Sequence, residues 1–136
     1  MVVCLCMSTM LSAQNFDGEY KSKKTSFRDE SNASNSFMEE TDFNIFIASK
    51  NENQDGLITI QDPRIPDKII IYSNIEYIGE LKDGANVVHI YKGKPEHINQ
   101  AEKDNISIYI DKDGNINLML QGENSSQVFF DLIKVN

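Results

Sequence analysis

The stretch Ile106-Ser107-Ile108-Tyr109-Ile110-Asp111-Lys112-Asp113-Gly114-Asn115-Ile116-Asn117-Leu118-Met119-Leu120-Gln121 decides the fold. Ile106, Ile108 and Ile110 alternate with Ser107, Tyr109 and Asp111. Beyond Lys112–Asn115, Ile116, Leu118 and Leu120 alternate with Asn117, Met119 and Gln121. Successive side chains of a strand point to opposite faces, so period two gives each run one apolar face. Asp113-Gly114 marks the turn, because these residues tolerate the backbone a tight reversal needs. The stretch predicts an antiparallel hairpin with one buried face and one wet face.

The same rhythm extends outward in both directions. Gly122 to Ser126 reads as a turn and Gln127 to Val135 as a closing strand. Upstream, Asn86 to Lys92, Ile75 to Leu81 and Lys68 to Ser73 read as strands, with a turn at Lys82-Asp83-Gly84. Pro63 and Pro66 exclude a central strand over 62–67, since proline lacks the amide donor. Leu57 to Gln61, a strand within Phe37 to Ala48, and a Lys-rich strand over Gly18 to Phe27 complete the series. Lys94 to Asp104 is polar, and Pro95-Glu96 suits the start of one helical turn.

Short connections favour antiparallel neighbours. The predicted fold is all-β: an antiparallel meander of about eight or nine strands, forming a small barrel or a curled sandwich. Ile69–Tyr72 and Val128–Ile133 are apolar on both faces, which predicts cover on both sides from a folded-over sheet or a second molecule.

Residues 1–14 differ from the rest. Met1 to Met7 is an apolar run, Ser12-Ala13-Gln14 follows, and no charge appears before Asp17. A short apolar core followed by small residues reads as a secretory signal peptide, with cleavage after Ala13 or Gln14. No Lys or Arg precedes the run, so the signal is read as truncated at its start. The expected organisation is a signal over 1–14 and a single β-domain over 15–136. Export would place that domain in the periplasm or outside the cell.

Both cysteines, Cys4 and Cys6, fall in the leader. The β-domain therefore has no disulfide framework, thiol nucleophile or thiolate ligand. The chain has 13 Lys+Arg against 21 Asp+Glu, a formal charge of −8. That balance argues against nucleic acid and anionic lipid as partners, because both need clustered cations. No stretch is long and apolar enough to predict a transmembrane helix.

One loop resembles a metal site in pattern. Asn51-Glu52-Asn53-Gln54-Asp55-Gly56, running on to Asp62, nearly fits the calcium loop D-x-[DN]-x-[DN]-G-x₅-E. Its ligands would be Asn51, Asn53, Asp55, the Leu57 carbonyl and Asp62, with Gly56 allowing the turn. Strands on both flanks and Pro63 at the exit favour a polar hairpin loop instead. His89 and His97 stand eight apart and form no metal pair; His89 is expected on the wetter face of its strand. Glu39 and Glu40 point to opposite faces if they lie in a strand, so they make no acid–base pair, and Asp29-Glu30 reads as loop. Lys21, Lys23 and Lys24 read as protection of an edge strand. Tyr72, Tyr77, Tyr91 and Tyr109 read as strand packing, with a carbohydrate-binding face as the functional alternative.

The stretch Lys68-Ile-Ile-Ile-Tyr-Ser-Asn-Ile-Glu-Tyr-Ile78 resembles a strand in a loose family of small secreted bacterial β-domains. Asp113-Gly114 and Val128-Phe129-Phe130 occupy the places of that family's turn and final aromatic strand. The resemblance implies an exported β-domain and assigns no site. A second likeness is to lipocalin-type barrels. Phe16-Asp17-Gly18-Glu19-Tyr20 stands where those proteins open with Gly-x-Trp, although tryptophan is absent here. That likeness implies carriage of one small apolar ligand. The leading expectation is a non-enzymatic exported domain without cofactor that binds a protein partner or itself. The alternatives are a lipocalin-like carrier and calcium binding over 51–62.

Overall fold

The computed structural model describes residues 15–96, 98–99 and 102–135. The predicted leader and His97 lie outside that set. The strands are β1 (Gly18–Ser22), β2 (Lys24–Asp29), β3 (Phe37–Glu39), β4 (Phe43–Ala48) and β5 (Gly56–Gln61). They continue with β6 (Ile69–Asp83), β7 (Asn86–Pro95), β8 (Asp104–Ile110), β9 (Ile116–Gln121) and β10 (Ser125–Lys134). A 3₁₀ turn spans Ala33–Asn35. Every pairing is antiparallel. The order β1-β4-β5-β6-β7-β8-β9-β10 returns from β10 to β1, so eight strands close into a barrel. β2 and β3 extend the wall beside β10. Of the two predicted architectures, the barrel is the one that forms.

The two additional strands arise because two long strands are broken. The Lys-rich segment predicted as one strand over 18–27 bends at Lys23 into β1 and β2. Both halves keep one register on β10: Lys21 faces Ile133 and Lys24 faces Phe130. Ser22 and Thr25 flank the bend and are fully buried. The Ser22 hydroxyl donates to the Phe130 carbonyl at 2.7 Å, and the Thr25 hydroxyl to the Val128 carbonyl at 2.8 Å. The neighbouring strand breaks between β3 and β4, where Glu39 to Phe43 runs opposite the shorter interval from Thr25 to Ser22.

The barrel interior is packed with side chains from alternate positions. Ile45 and Ile47, Ile58 and Ile60, Ile106 and Ile108, Leu118 and Leu120, and Phe129 all point inward and are buried. Phe43 meets Phe129 edge-on at 5.2 Å between ring centres. An eight-stranded barrel is just wide enough for such side chains to fill it. Each buried aliphatic or aromatic side chain contributes roughly 1.5–3 kcal/mol relative to exposure.

Two bulges re-phase strands to serve this core. β6 runs unbroken through the predicted gap at Asn74, whose φ is 50°. The irregularity there lets Tyr72 and Ile75, three apart, both point inward. In β10, Asp131 has a φ of 52°, and Phe129 and Leu132 both reach the core. Asn and Asp tolerate this left-handed region better than most residues. The Asn117 side-chain oxygen accepts from the Asp131 amide at 3.1 Å, which buries Asn117 on the face predicted to be wet.

Other expectations are corrected. Pro95 opens no helical turn; it ends β7, buried opposite Tyr72. The lysines guard no edge, since β1 is paired on both sides and Lys24 lies 5.5 Å from the centre of the Phe130 ring. Among the described residues of the chain no second sheet layer covers the outward residues of β6 and β10, and Ile69 and Ile133 are exposed on it.

Gly56 is required by close packing. A Cβ there would stand 2.7 Å from both the Cβ and the carbonyl oxygen of Ile75. Backbone beside the β6 bulge cannot yield cheaply, so Gly56→Ala is expected to cost about 1–3 kcal/mol. Urea unfolding measures it, and an unchanged midpoint would contradict this packing.

Candidate functional site

One end of the barrel opens into a cup. The β5–β6 and β7–β8 connections, the turn after β9 and the β2–β3 extension all gather there. The cup encloses about 320 Å³. That volume is at the small end of the range for small-molecule sites. Phe27 from β2, Ile70 and Tyr72 from β6, and Leu120 from β9 form its apolar wall, with Ile98 above. Phe27 stacks on Phe37 of β3 at 5.4 Å, so the extension supplies an aromatic rim. Phe37, Ile65, Ile69 and Ile98 are exposed around this end.

Asp104 lies at the floor, only 6% exposed. It begins β8 in phase with Ile106 and Ile108, so strand alternation turns it inward. Tyr72 donates to Asp104 Oδ2 at 3.1 Å. Burial, with the charge of Asp104 adding to it, pushes the Tyr72 phenol well above its ordinary value, so it stays a donor at any physiological pH. A Cβ on Gly122 would stand 3.7 Å from both Asp104 Oδ2 and Ser125 Oγ and 3.8 Å from Asp104 Oδ1, in ordinary contact. On the opposite wall the Gln127 amide donates to Thr25 Oγ1 at 3.1 Å. The cup thus combines an apolar wall with a buried carboxylate and a side-chain amide, a lining that suits a small molecule.

The opposite end is plugged. Phe16 is buried there, and its carbonyl accepts from the Tyr20 hydroxyl at 2.7 Å. Asp17 is tied to Ser49 through the Ser49 amide and hydroxyl, at 2.7 and 2.6 Å. His89 points inward beneath Phe16, with ring centres 5.2 Å apart and the planes edge to face. It is 5% exposed, contrary to the expected wetter face. The reason is phase: His89 and Ile108 are paired residues on one face, and Ile108 is core. The Tyr77 hydroxyl lies 3.4 Å from His89 Nδ1, a long contact, and Nε2 is buried without a partner among the described residues.

The remaining candidates do not converge. Asn51 Oδ1 accepts from the Asn53 amide within a small turn, and Leu57 sits inside β5 opposite Ala48. Asp62 follows the far end of β5, roughly 20 Å from Asp55 at strand rise. There it is bound to Arg64 at 2.7 Å, which holds its carboxyl below the usual range. Asn51, Asn53, Asp55, Leu57 and Asp62 therefore form no common calcium cage, because a strand separates them. Among the described residues no group of three His, Cys, Asp or Glu side chains is placed to hold a metal ion. Glu39 also binds Arg64, at 2.6 Å. Asp29 accepts from Ser31, Asn32 and Asn35 around the 3₁₀ turn. Tyr77 and Tyr91 meet edge-on at 5.2 Å, Tyr72 is core, and Tyr109 lies opposite Asn117, so the tyrosines make no shared binding face.

Sequence reading missed Asp104 and Gly122. The available signal was an aspartate in phase with the isoleucines of β8, one step before the run. Comparison with protein-family models, curated proteins and solved structures returned no match. Among the described residues no helix is long and apolar enough to cross a membrane.

An orphaned buried nitrogen is a liability, so His89→Leu is expected to keep stability or raise it by up to about 1 kcal/mol. Urea unfolding checks this; a loss well above that value would mean that the imidazole makes a stabilising bond.

Proposed function

We propose that this chain is an exported, non-enzymatic binding barrel whose mouth takes one small molecule with an apolar body. One observation carries the reading: a closed barrel, filled through its middle, opens at one end into a cup with an aromatic wall and a buried carboxylate floor. A filled middle leaves no room for a long chain running down the axis, so the ligand is short and sits at the mouth. This narrows the lipocalin-type expectation, and the barrel is compatible with it. Export is supported by the apolar run and Ser-Ala-Gln of residues 1–14.

Native mass spectrometry of the protein from its own cells tests the ligand. A discrete low-mass adduct is expected, lost on organic extraction and absent from Gly122→Leu, whose side chain fills the cup. No adduct on the unmodified chain, or the same adduct on Gly122→Leu, would remove the reading.

A second reading, self-association, is favoured by the outer wall. Ile133 is 61% exposed, Val135 45% and Phe46 38%. With Glu19, Lys21, Asn44, Thr59 and Gln61, Phe46 and Val135 line a groove of about 350 Å³. Light scattering across a concentration series should show a dimer that Ile133→Glu dissociates. A monomer throughout would exclude it.

A further inference from the structure

We infer that Asn32 is an N-glycosylation site, presented to an oligosaccharyl transferase by the exposed loop between β2 and β3. The inference rests on the chain being exported, since this modification belongs to secreted proteins. Three stretches carry the acceptor pattern Asn-x-Ser/Thr: Asn32-Ala33-Ser34, Asn105-Ile106-Ser107 and Asn124-Ser125-Ser126. In sequence they are equivalent, and the fold separates them.

A transferase must seat the acceptor segment in its own cleft, so the backbone there has to be free of the sheet. Asn105-Ile106-Ser107 lies inside β8. It pairs with Ile90, Tyr91 and Lys92 of β7 on one side and with Met119, Leu120 and Gln121 of β9 on the other. Ile106 is fully buried. Presenting this segment would mean pulling a strand out of the barrel. Asn124-Ser125-Ser126 runs from a turn into β10. Ser126 is held between Arg28 of β2 and Gln121 of β9, and the Asn124 carbonyl accepts from the Glu30 amide at 2.8 Å. Asn32-Ala33-Ser34 lies in no strand, and all of residues 31–36 are exposed. The hydrogen bonds that 31–36 makes among the described residues all end within 29–36, so the loop can be lifted without breaking the ladder.

The local geometry of Asn32 also suits the chemistry. Its backbone is extended, with φ −151° and ψ 98°. Its Oδ1 accepts from the Ser34 amide at 3.2 Å and from the Ser34 hydroxyl at 2.6 Å. The side chain thus folds back on the residue two ahead, as Asn does in an Asx turn. The hydroxyl at the third place of the pattern is already engaged with the amide to be modified. Both bonds end on Oδ1, which leaves Nδ2, the atom that takes the sugar, facing outward from the turn. The donor class is a polyprenyl-pyrophosphate-linked oligosaccharide. Nδ2 bonds to the sugar C1 and the C1–O bond to pyrophosphate breaks. The polyprenyl pyrophosphate leaves with that electron pair, and Nδ2 gives one proton to a base of the transferase. The loop leads directly into β3, the last strand of the sheet order, where Phe37 and Met38 are exposed. A bulky, solubilising glycan on Asn32 would shield that edge.

The test is mass spectrometry of tryptic peptides from the full chain purified from its own cells. Trypsin places the three asparagines in separate peptides, 29–50, 104–112 and 113–134. The 29–50 peptide is expected to gain the mass of a glycan on Asn32, with the other two peptides bare. Asn32→Gln and Ser34→Ala should each abolish the gain, and Ser34→Thr should keep it. All three changes are exposed and should leave the urea midpoint unmoved. A bare 29–50 peptide on a chain that has lost its leader would overturn the glycan and leave export standing. A bare peptide on a chain that retains residues 1–14 would overturn the export reading and this inference with it. Glycans on Asn105 or Asn124 would overturn the selection of Asn32 by the fold.

Discussion

The constraint on which the molecule depends is the shared ladder along β10. One strand pairs with β9 on one side and, on the other, with both halves of the bent first strand. The hydroxyls of Ser22 and Thr25 bond to β10 carbonyls on either side of the bend, so a kink at Lys23 interrupts the chain direction without breaking register. Without that seam the sheet would be an open meander with two exposed edges and a half-covered core. Closure removes those edges and the aggregation hazard they carry. It also fixes the two ends: β1 closes the plugged end around Phe16, and β2 carries Phe27 to the mouth.

The cup follows from that arrangement. The large side chains of β4, β5, β8 and β9 fill the middle of the barrel, and the strands then run past the filled layer toward the mouth. At that level the inward positions are Phe27, Gln127, Gly122, Asp104 and Tyr72. Two of these are polar side chains held by neighbours, and one is a glycine that leaves space. The same strand alternation that builds the core therefore builds the site, one step beyond the point where isoleucine and leucine end.

Much of the fold was legible because period two survives in most strands. The 106–121 hairpin is read directly from its isoleucines and leucines, and β5 and β7 from their turn residues. The misreadings have local causes. A buried Ser22 and Thr25 look like surface residues in sequence, since their burial is licensed by carbonyls more than a hundred positions away. Asn74 and Asp131 reset the phase of their strands, so apolar residues that look two-faced are partly explained by a bulge. Gly56 looked like a turn glycine of a calcium loop and is instead pressed against Ile75. His89 and Asp104 carry polar side chains on an inward phase, and their polarity points to the opposite face from the one that alternation gives. Of the cup, only Tyr72 stood out in the sequence, and as strand packing; that Phe27, Ile70, Leu120 and Asp104 meet there follows from barrel closure.

The most direct measurement of this account is a set of cross-strand NMR contacts along β10 in one sample. Both Lys21–Ile133 and Thr25–Phe129 backbone contacts should be present together, alongside Phe129–Leu118. Their joint presence would establish a closed barrel seamed by a bent strand. The Phe129–Leu118 contact without the other two would show an open sheet, and with it neither a closed core nor a cup.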